Sequence, residues 1–312
     1  MAIKKNAVLG IIDNYSFHQL KKFFLSLKQT GYTGDICMFV GSNTTPRTIK
    51  LLQKQGVKTV LFRDLTALPP GNLAAAQYRF PQPINYFNFR HYLYYDFLQK
   101  HRDEYKYILL TDVRDVYFQR DPFDFEQGDG LYCALEGKTK KLKDCRFNGP
   151  WLEFIYGKQA LDEIGNEIIS CAGTTWGTTD AILDYLSKML KEIEKLPDAH
   201  KAIDQAIHNY MIWKNILPAV KFLNNDDGVI LTLSYEHDYT IDSDNKVRAS
   251  NGRVANVLHQ FDRMADLKPL SDKLYQKDNL WNFILHRYYR FELLLHKVLM
   301  RLKLRNKNRP NG

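Results

Sequence analysis

A chain of 312 residues with 45% apolar content can bury a large core, which excludes a solitary binding peptide and leaves one large domain or two small ones. The net charge of +9 is unevenly spread, because residues 287–309 hold eight Lys or Arg against one acid, Glu292, and the remainder is close to neutral. An excess confined to one tail does not imply a nucleic-acid partner. The apolar run 7–12 stops at Asp13, too short for a signal-peptide core, and no stretch reaches the roughly 18 apolar residues that a membrane span needs. A soluble or peripheral cytoplasmic protein is expected. Cys37, Cys133, Cys145 and Cys171 form no CxxC pair and read as reduced core thiols.

In chain order, residues 7–12 read as a buried strand, followed by Phe17, Leu20, Phe23, Phe24 and Leu27 at helical spacing. Gly31 and Gly34 bracket a break. A strand at 36–40, a helix at 47–55 and a strand at 57–62 complete a β-α-β-α-β opening. That order favours a parallel sheet with right-handed crossovers, whose ligands lie beyond the carboxyl ends of the strands. Asp13, Asn14 and Tyr15 would stand at that edge. The proline-rich stretch 68–83 reads as a surface loop before an aromatic-rich helix at 85–100. Strands are expected at 107–111, 130–136 and 168–172, helices at 180–195 and 200–214, short strands within 224–253 and a last strand at 254–259. One long amphipathic helix, about 278–304, closes the chain.

The segment Tyr107-Ile-Leu-Leu-Thr-Asp112-Val-Arg-Asp115 delivers two carboxylates to the carboxyl end of an apolar strand. Their mutual repulsion, added to that of a diphosphate, would be relieved by a hard divalent cation, which would act as a Lewis acid on a diphosphate leaving group. The alternative is a structural ion network in which Arg114 and Arg120 pair with these aspartates without a metal.

Followed by Arg120-Asp121-Pro122-Phe123, this segment resembles the DxD region of GT-A glycosyltransferases. The resemblance implies that Asp115 holds the metal and that an earlier acid, Asp112, faces the nucleotide ribose. Here the first DxD position is Val113, so the division of labour between the two acids departs from the usual pattern. Further motifs follow in the family's order. Cys171-Ala172-Gly173-Thr174 is similar to its small-residue strand end that lines the donor sugar, against the simpler reading of a tight turn capped by Thr179 or Asp180. Asp204-Gln205, with Asp204 and His208 sharing a helix face, looks like its DQ-bearing helix and implies catalytic roles, against a surface ion pair of Asp204 with Lys201. His259, in Val257-Leu-His-Gln-Phe-Asp-Arg263, is similar to its late metal-binding histidine, against a histidine merely satisfied in place. Arg90 lies where related enzymes place a basic residue near the nucleotide, against a surface salt bridge.

The resemblance covers roughly residues 6–265. It implies an α/β GT-A (Rossmann-like) fold with a mixed, mostly parallel sheet flanked by helices. Residues 1–265 would be the catalytic domain and 266–312 a helical basic tail. The implied activity is metal-assisted hexosyl transfer, with Mn²⁺ or Mg²⁺, from a nucleotide-diphosphate sugar to a glycan or lipid-linked acceptor. The family implies UDP as the nucleotide, while no residue excludes GDP. Should the anomeric centre invert, Asp204 and then Glu153 are the candidates to take the acceptor proton. The family leans to retention, with Asp204 supporting the transition state. Acceptor contacts would come from loops 68–83 and 138–149. The tail would bring the enzyme to an anionic membrane surface, or pack its apolar stripe on the domain. Competing functions are a nucleotide-sugar hydrolase, a nucleotidyltransferase, disfavoured by the lack of a Gly-rich phosphate loop at 10–20, and a noncatalytic binding module.

Overall fold

The computed structural model describes residues 4–62, 84–196, 201, 203–235, 238–267, 287–288 and 291–299. The order of elements is β1 (Lys5–Ile12), α1 (Phe17–Gln29), β2 (Asp35–Gly41), α2 (Pro46–Lys54), β3 (Lys58–Phe62), α3 (Tyr86–Lys100), β4 (Tyr105–Thr111), β5 (Val116–Phe118), β6 (Leu131–Leu135), α4 (Asn148–Ile164), β7 (Ser170–Thr178), α5 (Thr179–Glu194) and α6 (Asp204–Trp213). After α6 come β8 (Val220–Leu223), β9 (Ile230–Thr232), β10 (Tyr239–Ile241), β11 (Val247–Ala249) and β12 (Val257–His259). Among the described residues, no helix is long and apolar enough to cross a membrane.

The protein is α/β, with a seven-stranded sheet ordered β3-β2-β1-β4-β7-β6-β8. The strands from β3 to β4 are parallel, β7 runs antiparallel to both of its neighbours, and β6 and β8 are parallel. Helices cover both faces, so the central strands are apolar on both sides. On one face Leu9, Ile11, Phe39, Ile108 and Leu110 meet α3, α5 and α6; on the other Val8, Ile12, Met38, Val40 and Leu109 meet Phe23 and Phe24 of α1 and Leu52 of α2. Strand alternation thus sorts each apolar run into two cores. Trp176, 1% exposed, stacks on Tyr107 with 4.8 Å between ring centroids and fills the second core. A small sheet, β5-β12-β9, lies beyond the end of β4.

Local chemistry explains the helix starts. Thr45 caps α2 by accepting the Thr48 N–H at 3.2 Å with Pro46 in the first turn, Asn85 caps α3 by accepting the Phe87 N–H at 3.0 Å, and Thr178 caps α5 by accepting the Ala181 N–H at 3.3 Å.

Several sequence expectations are corrected. The strand expected at 168–172 is β7, Ser170–Thr178, and the residue that caps the next helix is Thr178 instead of Thr179 or Asp180. Gly173, Thr174 and Thr175 therefore belong to a central strand, not to a tight turn. Helix α4 was not anticipated; its first residues, Asn148 and Gly149, fall in the stretch 138–149 read as a loop, and the helix is kinked at Gly157, where φ is 78°. The helix expected at 200–214 starts at Asp204, and the last strand shrinks to Val257–His259. Loop 68–83 and most of the closing helix, 278–304, lie outside the described residues, of which 287–288 and 291–299 are helical.

Candidate active site

Strand β4 ends at Thr111, and Asp112 begins a short turn that leads into β5. The Asp112 N–H donates to the Gly173 carbonyl at 2.8 Å, which continues the β4–β7 ladder and fixes the Asp112 side chain beside β7. Asp115 is anchored through its carbonyl, which accepts the Gln260 N–H at 2.7 Å, so the end of β12 is bound to the same turn. Gln260 adopts φ 61° there. Three segments distant in sequence thereby converge. Ligand atoms of Asp112, Asp115 and His259 all lie within 4.8 Å of one another.

These donors fit a divalent cation. His259 is 1% exposed, and among the described residues its Nε2 makes no hydrogen bond; Asp112 Oδ2 stands 3.6 Å away, an ion-pair distance for a protonated ring but beyond hydrogen-bond range. A buried ring nitrogen that makes no hydrogen bond, beside two carboxylates, is disposed to accept a ligand. The backbone of β7 at Gly173 borders the same space, since a Cβ there would meet Asp112 Oδ2 and His259 Cε1 at 2.6 Å each. Burial alone would lower the His259 pKa, but Asp112 and Asp115 hold it above the usual imidazole range. Burial raises the Asp115 carboxyl, against the pull of His259.

Arg90 organises the other side. Its guanidinium, with the side chain 6% exposed, donates to Asp112 Oδ1 and to Asp204 Oδ2, both at 2.7 Å. His91 Nε2 lies 3.2 Å from the same Asp204 oxygen. Burial would raise both carboxyls, yet Arg90 outweighs it and holds Asp112 and Asp204 below the usual carboxylate range, with His259 assisting at Asp112 and His91 at Asp204. Gln205 is locked by accepting the Ala172 N–H at 2.8 Å and donating to the Ser170 carbonyl at 2.7 Å. His208, on the same face of α6 as Asp204, bridges Ser170 Oγ at 2.9 Å and Tyr185 OH at 3.0 Å in the core, and burial holds its pKa down at about 3.

Part of the ion network raised by the sequence is present: Arg114 pairs with Asp115, donating to Oδ2 at 3.4 Å, and with Asp262, whereas Arg120 pairs with Asp124 outside the site. Neither Arg90 nor Asp204 is a surface group, and Asp204 pairs with Arg90, not with Lys201.

A cavity of about 760 Å³ opens over this constellation, lined by Arg90, Asp112, Cys171, Gly173, Asp204 and Gln205. It falls in the size range of small-molecule sites. Of the metal triad only Asp112 lines it; Asp115 and His259 lie behind the wall, and Asp13, Asn14, Tyr15, Ala172 and Thr174 do not line it either. Asp13 instead accepts from the Asn43 backbone at 3.2 Å and the Asn43 side chain at 3.1 Å at the end of β2, while Asn14 takes φ 62°. The charge of Asp112 and Asp115 reaches Tyr15. Thr174, wholly buried, stands opposite Thr111 in the β4–β7 ladder. Glu153 is not among the lining residues.

Sequence reasoning missed part of the wall. Glu136, 6% exposed at the carboxyl end of β6, faces the cavity, and burial raises its carboxyl above the usual range. The outer rim carries Lys140, Arg146 and Arg263 with Trp151, Phe147 and Tyr235. The position of Glu136 after an apolar strand was the available signal, the same one that marked Asp112. In comparisons with known proteins, the chain matches no family model and no curated sequence.

Proposed function

We propose that this chain is a metal-dependent glycosyltransferase of the GT-A type that moves a sugar from a nucleotide-diphosphate donor, a UDP sugar first, to a hydroxyl of a glycan or lipid-linked acceptor. The observation that carries the reading is the convergence of Asp112, Asp115 and His259, whose Nε2 makes no hydrogen bond among the described residues, at a cavity lined by Asp112 together with Arg90, Asp204 and Gln205. Mn²⁺, which accepts an imidazole ligand more readily than Mg²⁺, would be held by those three residues and would neutralise the departing diphosphate.

The protein's own groups do the positioning. Arg90 fixes Asp112 and Asp204 in one geometry, so the site is organised before substrate arrives, which is how fixed charges lower a barrier without reorganisation. Gln205 cannot swing, because both ends of its amide are engaged, and it presents a fixed edge to a sugar in the cavity. Asp204 is committed to Arg90 and His91, so it serves as a positioning residue and not as the base that takes a proton. Glu136 is the better base, since a carboxyl raised by burial holds a proton nearer neutral pH. In an inverting reaction Glu136 would take the acceptor hydroxyl proton; in a retaining one Gln205 would face the anomeric carbon. Trp151, Phe147 and Tyr235 on the rim supply flat apolar faces for an acceptor sugar.

Calorimetric titration with UDP, GDP and CMP, each with and without Mn²⁺, tests the reading alongside Asp115→Ala. Metal-dependent micromolar binding of one diphosphate, lost in the variant, is expected. Binding by none of the three would replace it with a noncatalytic role, and hydrolysis of a bound nucleotide sugar with no transfer to any acceptor would point to a hydrolase.

A further inference from the structure

Residues 291–299 form a helix in which Phe291, Leu294, Leu295, Val298 and Leu299 recur at the spacing of a single face. That face points outward. The five side chains are 63%, 60%, 48%, 44% and 49% exposed, in that order. The opposite side, which carries His296 and Lys297, is the one tied to the domain: His296 Nε2 lies 3.0 Å from the Ser42 carbonyl just past β2, and the charge of Lys297 is felt at Asp13. Near the start of the segment the Arg47 guanidinium of α2 sits 5.5 Å from the ring centroid of the half-exposed Tyr288. A helix packed for burial would turn its apolar stripe inward and its histidine and lysine to water. This one does the reverse, and a contiguous exposed apolar patch marks an interaction surface.

We propose that this helix is an interfacial anchor that binds an anionic lipid surface, its apolar stripe entering the headgroup–acyl boundary and the basic residues around it contacting lipid phosphates. Charge selects the occupant. Residues 287–309 carry eight Lys or Arg against Glu292 alone, and basic residues beside an apolar stripe add electrostatic attraction to anionic lipid. A second copy of the chain is a poor partner, because pairing two such stripes would bring two strongly cationic tails together. The tether at Ser42 and Arg47 places the anchor at the carboxyl end of β2, next to Asp13. The anchor therefore shares the edge of the sheet on which the candidate site lies. The docking does not rest on the sugar-transfer reading.

The test is flotation of the full chain with vesicles of phosphatidylcholine alone and of phosphatidylcholine with 25% phosphatidylglycerol. Binding to the anionic vesicles only is expected, weakened by added salt. It should fall at least tenfold in Leu294→Asp/Leu295→Asp, and also in Val298→Asp, with the melting curve and the binding of Mn²⁺ unchanged. Equal binding to both vesicle types, equal binding by a folded variant and the parent chain, or no binding by the parent chain would each overturn the proposal. So would a parent dimer in light scattering that the variants dissolve, since the stripe would then be a contact between copies.

Discussion

Replacing Arg90 with Met keeps much of the side-chain volume and removes the charge that faces two buried carboxylates. Asp112 and Asp204, with side chains 32% and 7% exposed, each lose a bond of 2.7 Å. Breaking one partner out of a buried ion pair costs about 3–5 kcal/mol, because the remaining charge is left desolvated and uncompensated. Most of the effect should come from Asp204, the more buried of the two. In the parent protein its folded pKa is lowered, so its contribution is present above the unfolded carboxyl pKa and is lost as pH falls through the folded value. In the variant, burial without Arg90 raises it instead, so folding is then favoured by protonation. The destabilisation measured by urea unfolding at pH 7 should therefore shrink toward pH 4. Adding Asp204→Asn to Arg90→Met should restore more than 1 kcal/mol, although Asp204→Asn alone destabilises. Additive losses in that cycle, or a pH-independent cost below about 1 kcal/mol, would refute the view that Arg90 holds the site together electrostatically.

Further outcomes follow from the same geometry. Gly173→Ala should abolish Mn²⁺ binding while leaving the far-UV circular dichroism intact, because the added methyl would sit 2.6 Å from both Asp112 Oδ2 and the His259 ring; unchanged metal affinity by calorimetry would mean the ion binds elsewhere. His208 is held neutral in the fold, with its pKa near 3, and titrates near 6.5 when unfolded, so its stabilisation is present above pH 6.5 and is lost as pH falls toward 3. Its share of the loss between pH 7.5 and pH 5 is about 2 kcal/mol, a figure set by the unfolded pKa. Chemical denaturation of His208→Gln at the two pH values should show a pH dependence flatter by about that amount, and parallel curves would remove His208 from the acid response. Glu136→Gln should leave nucleotide binding within twofold while lowering turnover at least 100-fold, if Glu136 takes the acceptor proton. A pH–rate profile unchanged from the parent would return the role to another group.

The opening β-α-β-α-β order, the strand that ends at Asp112 and the candidates Asp115, His259, Asp204 and Gln205 were all legible in the sequence. Buried strands read as apolar runs, and a carboxylate at the end of such a run stands out. What the chain order could not convey was partnership. Periodicity reports which side of an element is buried, but not what it is buried against. Arg90 was placed near the nucleotide only by resemblance, against a surface salt bridge, and its partners Asp112 and Asp204 are set by the packing of α3 on α5. The strand expected at 168–172 stopped short because Gly173, Thr174 and Thr175 read as a strand end or a turn, and only pairing with β4 and β6 carries them into the middle of β7. Helix α4 starts within a stretch read as a loop and is kinked at Gly157. The outward stripe of 291–299 shows the same division in reverse: its amphipathic pattern was plain in one dimension, while its direction depended on a hydrogen bond to Ser42, a residue near the other end of the chain. Local propensity and hydrophobic pattern act over a few residues and so are written in the sequence, whereas a site is a meeting of distant segments, decided only when the sheet closes and burial forces each charge to find its partner.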